Sequence, residues 1–187
     1  MTTATPREAR QPGTAPSAEH ATAAAGAPAA GIDADATQYL TFLLAGEEYG
    51  VEILRVQEIK GWDGVTRVPH TPAWMLGVMN LRGTVVPVID LRARFGLPRV
   101  EFGAGHVVIV VRVQVARGEK TAGVVVDGVS EVYDFRAEDV RPAPAVQAAS
   151  APALLAGLAS AGEKMVMLLD IDRLVASSID AEPAGRH

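Results

Sequence analysis

Apolar residues in this chain come in short valine-rich runs separated by turn signals, and that pattern leaves few folds open. VVIVVRVQV at 107–115 is too β-branched for a helix and reads as a long strand, with Arg112 and Gln114 emerging on one face. Ala116-Arg117-Gly118-Glu119 is a turn. Lys120 to Val129 is the partner strand, broken at Asp127-Gly128. Leu40, Phe42 and Leu44 alternate with Tyr39, Thr41 and Leu43 in a strand buried on both faces. Ala45-Gly46-Glu47-Glu48 turns that strand back into Tyr49–Ile53. Val56–Ile59, Thr84–Ile89, Val132–Phe135 and Met165–Leu169 are further short strands. A count of roughly nine or ten short strands with regular turns points to small barrels or a sandwich.

The segment from Thr71 to Gly96 departs from this period. Trp74, Met75, Val78 and Met79 fall at helical spacing, with Thr71 as N-cap and Pro72 at the first helical position. The spacing predicts a short helix that ends at Asn80-Leu81-Arg82-Gly83, where Gly83 is free to take positive φ. Gly77 inside that run weakens a helix, which predicts close packing against it. Asp90 caps a second helical turn carrying Leu91 and Phe95, and Gly96 closes it. A last helix passes through Leu174 and Val175, capped by Asp170 or Asp172.

Residues 1–36 form a separate region, rich in Ala, Pro and Thr, whose bulky apolar residues are Met1 and Ile32. Such a segment buries too little surface to offset the entropy of ordering, and it reads as a disordered tail, with a tether as the functional alternative. Residues 37–176 are the folded domain and 177–187 a polar C-terminal tail. Within the domain, Ala143–Ala153 reads as a mobile loop.

Composition excludes several functions. The formal charge of −5 offers no basic field to nucleic acid or anionic lipid. No apolar run approaches the roughly 20 residues of a membrane span, and no secretory signal opens the chain. A cytoplasmic protein without membrane insertion is the expectation. The sequence has no cysteine, so it offers no thiolate and no disulfide. His70 and His106 have no carboxylate at ligand spacing, and Gly103-Ala104-Gly105 lacks the lysine and helix of a phosphate loop. The serines lie in no nucleophile context. Glu47 and Glu48 are adjacent in a turn and point to opposite faces, so they read as a solvated pair without acid–base function. No enzyme and no cofactor are expected.

A few residues are candidates for binding. Arg82 either caps backbone carbonyls at a helix end or offers its guanidinium to a partner. Val56 and Glu58 share a strand face, as a core valine with a rim carboxylate or as one binding surface. Val65 lies in a loop, where an apolar side chain is tucked in or offered.

GVMNLRGTVVPVIDLRARFG at 77–96 resembles the signature of the bacterial chemotaxis coupling proteins, the CheW family. EEYGVEILRVQEI at 47–59, VTRVPHTPAW at 65–74 and GVVVDGVSEV at 123–132 agree in order and spacing, followed by Val140-Arg141-Pro142. The resemblance covers about residues 38 to 175. It implies a mainly β fold: two small SH3-like five-stranded barrels packed on a shared hydrophobic core, with a few short helices. It implies an adaptor that binds the cytoplasmic tip of a methyl-accepting chemoreceptor and the regulatory domain of the histidine kinase CheA. By this resemblance Val56, Glu58, Gly77 and Arg82 bind receptor and Val65 binds kinase. The same resemblance implies a monomer when free, ring assemblies with kinase, and recruitment to membrane-associated receptor arrays. Two alternatives carry the same fold in a non-swimming chemosensory pathway: the regulatory module of a kinase, and the coupling half of a CheV-type protein fused to a receiver. The polar tail without a receiver segment favours the free coupler. A small barrel enzyme is the alternative from another class.

Overall fold

The computed structural model describes residues 35–115, 118–143 and 154–179, besides Met1. Nearly all of the 1–36 region, the 144–153 part of the expected loop and the end of the polar tail lie outside the described residues.

Among the described residues the turn signals set off ten strands. They are β1 (Ala36–Leu44), β2 (Glu47–Glu52), β3 (Val56–Gly61), β4 (Met75–Leu81), β5 (Thr84–Asp90), β6 (Val107–Val115), β7 (Gly118–Val126), β8 (Gly128–Arg136), β9 (Leu155–Ala161) and β10 (Lys164–Leu169). Helix α1 (Leu91–Arg94) follows β5 and α2 (Ile171–Ile179) follows β10. Strand β1 begins at Ala36, and α2 carries Ser177 and Ser178, which the sequence reading placed in the polar tail. The strands form two five-stranded sheets: sheet I in the order β8-β1-β2-β10-β9 and sheet II in the order β3-β6-β7-β5-β4. Each curls as an SH3-like barrel that stays open between its edge strands. In sheet II the chain after β3 spans the seam with one bridge, Thr66 to Val78. In sheet I the chain after β8 does the same with Arg141 to Leu158.

The two barrels are copies of one plan. Each has one parallel pair, β5 with β7 and β10 with β2, beside its antiparallel ones. Asp90 and Asp170 occupy matching places: their backbone N–H groups donate to Trp74 and Leu154, and their carboxylates cap α1 and α2. Of the two residues expected to cap the last helix, Asp170 is the cap. Asp172 instead accepts from Arg55 at 2.8 Å and from the Gln114 N–H at 2.7 Å.

Alternation decides which core each side chain enters. Leu40, Phe42, Leu44, Tyr49 and Val51 of sheet I meet Ile89, Ile109, Val111, Val124 and Val126 of sheet II in one shared core, closed by Leu174 and Val175 of α2. The opposite faces fill two smaller interiors. Tyr39, Phe135, Val166 and Leu168 line barrel I. Met79, Val86, Val88, Val108 and Val110 line barrel II. Strands β1 and β6 are buried on both faces because each serves two cores.

The structure corrects four expectations. Met75–Leu81 is a strand, not a helix. Its pairing register shifts between Met75 and Gly77, leaving Leu76 as a bulge residue. The bulge sends Trp74 and Met75 to the shared core and Met79 and Leu81 to barrel II, which produced the helix-like spacing. Thr71 therefore caps no helix; its hydroxyl donates to the Val68 carbonyl. The Val132–Phe135 piece belongs to one nine-residue strand, β8, which Asp127 hands over from sheet II to sheet I. Glu48 is not solvated: it belongs to β2 and is 7% exposed. Glu47, on the opposite face, is exposed.

Candidate functional site

Arg82 stands at the tip of the β4–β5 hairpin. Leu81 pairs with Thr84, so Arg82-Gly83 is a two-residue turn. Its φ values of +50° and +89° are the positive pair that lets such a turn follow the strand twist. Asn80 supports the tip by accepting from the Gly83 N–H at 2.8 Å. Glycine or asparagine suits the first turn position better than arginine, whose left-handed conformation costs about 1 kcal/mol. The backbone therefore holds a long cation at a place that disfavours it.

The cation points across the open seam of barrel II. Arg82 Nη2 lies 3.0 Å from Glu58 Oε2 on β3, with the two side chains 83% and 29% exposed. An ion pair this open contributes little to stability. It does fix the guanidinium at the rim of a concavity of about 510 Å³, which Leu54, Val56, Gln57, Leu81 and Val86 also line. Arg112 lies on the same lining and pairs with Glu119 at 3.3 Å. Two arginines and one glutamate on this lining favour a partner surface with a carboxylate.

The structure brings Val56, Glu58 and Arg82 together and leaves Gly77 and Val65 apart. A register shift between Val56 and Glu58 breaks the expected shared face, so Val56 also packs on the shared core. Arg82 caps no helix, because none ends there. Gly77 is buried on β4 under the Thr66 backbone and is not on the concavity lining. Val65 is half-buried and, like Trp62 and Phe102, packs against the barrel II core. Sequence reasoning missed Leu54, which is 91% exposed on the 3₁₀ turn Ile53–Arg55. Its signal was the adjacent apolar pair Ile53-Leu54, which interrupts strand alternation. Val85, 67% exposed on the same hairpin as Arg82, was missed because it sits in an apolar run. Among the described residues no group of three His, Asp or Glu is placed to hold a metal ion.

A family model described as "CheW-like domain" matches residues 38–178. The chain is 46% identical to Chemotaxis protein CheW of Klebsiella aerogenes over 140 residues, covering 75% of this chain and 82% of that one. Against Chemotaxis protein CheW of Rhizobium meliloti it is 33% identical, covering 75% and 88%. The crystal structure of scaffolding protein TtCheW from Thermoanaerobacter tengcongensis superposes with a TM-score of 0.66 at 32% identity, covering 74% of this chain and 87% of that one. The family match runs from β1 into the last turn of α2 and spans both barrels, and this chain belongs to the CheW family of CheW-like domain proteins.

Proposed function

We propose that this chain is a non-catalytic coupling adaptor of chemotaxis signal transduction. It joins the cytoplasmic tip of a methyl-accepting chemoreceptor to the regulatory domain of the histidine kinase CheA. The observation that carries the receptor side is Arg82, held at a left-handed hairpin tip and paired with Glu58 across the open barrel seam. Val56 and Leu54 supply apolar surface beside the pair, and a helical receptor tip fits such a mixed concavity. Gly77 acts beneath this surface by letting Thr66 lie on β4. The kinase contacts a surface that includes Val65. Coupling raises the effective concentration of kinase at the receptor and passes on receptor state through differential contacts. The free protein is a monomer that enters rings with kinase. No helix of the described residues is long and apolar enough to cross a membrane, so recruitment to membrane-associated arrays runs through the receptor.

Arg82 provides the test. The Arg82 side chain is 83% exposed, so Arg82→Ala keeps the fold at a cost of about 1 kcal/mol or less. Receptor-fragment affinity is expected to fall about tenfold or more in both Arg82→Ala and Arg82→Lys, because lysine lacks the planar fork. Kinase-fragment affinity stays within twofold. Titrations of each variant against each fragment, beside a melting curve, check this. A midpoint lowered by about ten degrees with both affinities lost would make Arg82 structural.

Val65 separates the second partner. Val65→Arg runs its stem over the barrel edge and sets a charge at the rim. Kinase-fragment affinity is expected to drop by about 2 kcal/mol, roughly 30-fold, with receptor affinity unchanged. Equal loss of both, with a lower melting point, would return Val65 to the core.

A further inference from the structure

The repeat of one plan in both barrels makes the mouth of barrel I comparable, position by position, with the seam that carries Arg82. Glu58 lies at a register shift on β3, and Glu131 lies at the matching shift on β8, where Thr41 Oγ1 donates to its carbonyl at 3.0 Å. Ile59 and Val85 flank the barrel II seam, 45% and 67% exposed. Val132 and Met165 hold the matching places in barrel I, 46% and 50% exposed. The β4–β5 tip presents Arg82-Gly83, whereas the β9–β10 tip presents Gly162-Glu163. Barrel I thus keeps the carboxylate and the apolar rim and lacks the arginine.

Barrel I also holds one carboxylate more. Glu48 stands on β2 opposite Leu43 and level with Val166 of β10, on the interior side of the barrel. The residue is 7% exposed, and its Oε1 is buried without a hydrogen-bond partner. Interaction with the neighbouring Glu131 carboxylate, burial and the charges of Glu131 and Glu48 together push the Tyr133 pKa up. Lys164 is exposed at the start of β10 and makes no ion pair among the described residues. A buried carboxylate oxygen with no partner costs the fold several times a typical hydrogen bond. A glutamine would lower that cost and an apolar residue would remove it.

We infer that the mouth of barrel I, formed by Glu48, Glu131 and Tyr133, is a docking site for an arginine carried on a tight turn of a partner protein. A guanidinium placed there gives Glu48 its missing donor and lies within reach of the Tyr133 ring. Barrel II already shows the pairing in cis, through Arg82 and Glu58. The partner is a different protein: a formal charge of −5 sets copies of this chain against each other, and it attracts a basic surface. The site lies on the other barrel from the Arg82 concavity and stands independently of the receptor assignment.

The probe is a cyclised hairpin peptide with the sequence of residues 79–85, which carries the arginine turn, and its citrulline analogue. Titrated into the full chain, the arginine peptide is expected to move the amide NMR signals of Thr41, Glu48 and Tyr133. The citrulline peptide, and Glu48→Gln with the arginine peptide, are each expected to bind about tenfold or more weakly. Glu48→Gln is also expected to leave the melting point equal or higher, since the buried Oε1 has no donor for the substitution to lose. Lys164→Gln leaves the affinity equal or tighter. Equal binding of the two peptides overturns the inference. So does a Glu48→Gln variant that melts lower and binds unchanged. Self-association of the full chain that Arg82→Ala dissolves would assign the site to a second copy and overturn the choice of partner.

Discussion

Gly77→Ala is expected to lower the thermal midpoint by about 10 °C, far more than a typical glycine-to-alanine change. A Cβ at this position would lie 2.2 Å from the Thr66 carbonyl oxygen, 2.8 Å from its carbon and 3.1 Å from the Arg67 Cα. All three are backbone atoms, so no side-chain rotation relieves the clash. The Gly77 φ of +149° adds strain for any side chain. Thr66 cannot retreat without losing two hydrogen bonds to Val78, each 2.8 Å long. Loss of that bridge, together with the strain, amounts to about 3 kcal/mol. Gly83 is the internal control: its φ is +89°, but a Cβ there meets nothing within 4 Å. Gly83→Ala is expected to cost only about 1 kcal/mol, a shift of a few degrees. Melting curves of both variants decide the matter, and a Gly77→Ala midpoint within two degrees of the parent would refute the packing account. Any receptor-binding defect of a Gly77 variant then needs correcting for the fraction folded, because the residue acts through the position of Thr66.

Asp127→Ala is expected to be destabilising by a similar amount, about 3 kcal/mol. Asp127 is the joint between the sheets, following β7 of sheet II and preceding β8 of sheet I. Its carboxylate accepts from Arg92 Nε at 2.8 Å, from Arg92 Nη2 at 2.5 Å and from the Ala45 N–H at 2.7 Å. Arg92 belongs to α1 and Ala45 to the β1–β2 turn, so one carboxylate ties the two barrels. The side chains of Arg92 and Asp127 are only 12% and 21% exposed, and alanine would strand the guanidinium half in the interior.

The same pair has a pH signature. Burial alone would raise the Asp127 pKa. The hydrogen bonds from Arg92 and from the Ala45 N–H, with the charges of Arg92 and His106, outweigh it and hold the carboxyl below its usual range. A depressed carboxylate contributes stability that is complete above its unfolded pKa of about 4 and is lost as pH falls through the folded value. The gap in urea midpoint between the parent and Asp127→Asn is therefore expected to hold steady from about pH 7 to 5 and to narrow below about 4. A gap independent of pH down to about 3 would mean that the carboxylate's charge contributes nothing.

The sequence by itself determined the strand-rich class, most strand positions, the Asp90 cap and the family. These are local properties: alternation, β-branching and turn chemistry act over a few residues, and Asp90 reaches only as far as the Ala93 N–H. The candidate pair of Arg82 and Glu58 was legible as two separate residues, but their meeting was not, since a hairpin turn and a strand meet there across an open seam. Tertiary structure alone decided the remaining points. Met75–Leu81 became a strand because its backbone pairs with β5 and with Thr66, and those long-range hydrogen bonds override a helix-like spacing. The spacing itself came from a bulge that divides one strand between two cores, a division that exists only once both barrels are built. The doubling of the fold rests on a few matched residues, such as Gly77 with Gly157 and Asp90 with Asp170, amid side chains that differ. Glu48 looked like a turn residue because burial is a property of what packs above a strand. The curl of sheet I, with Val166 of β10 beside it, covers Glu48 and leaves a carboxylate where local chemistry predicted water.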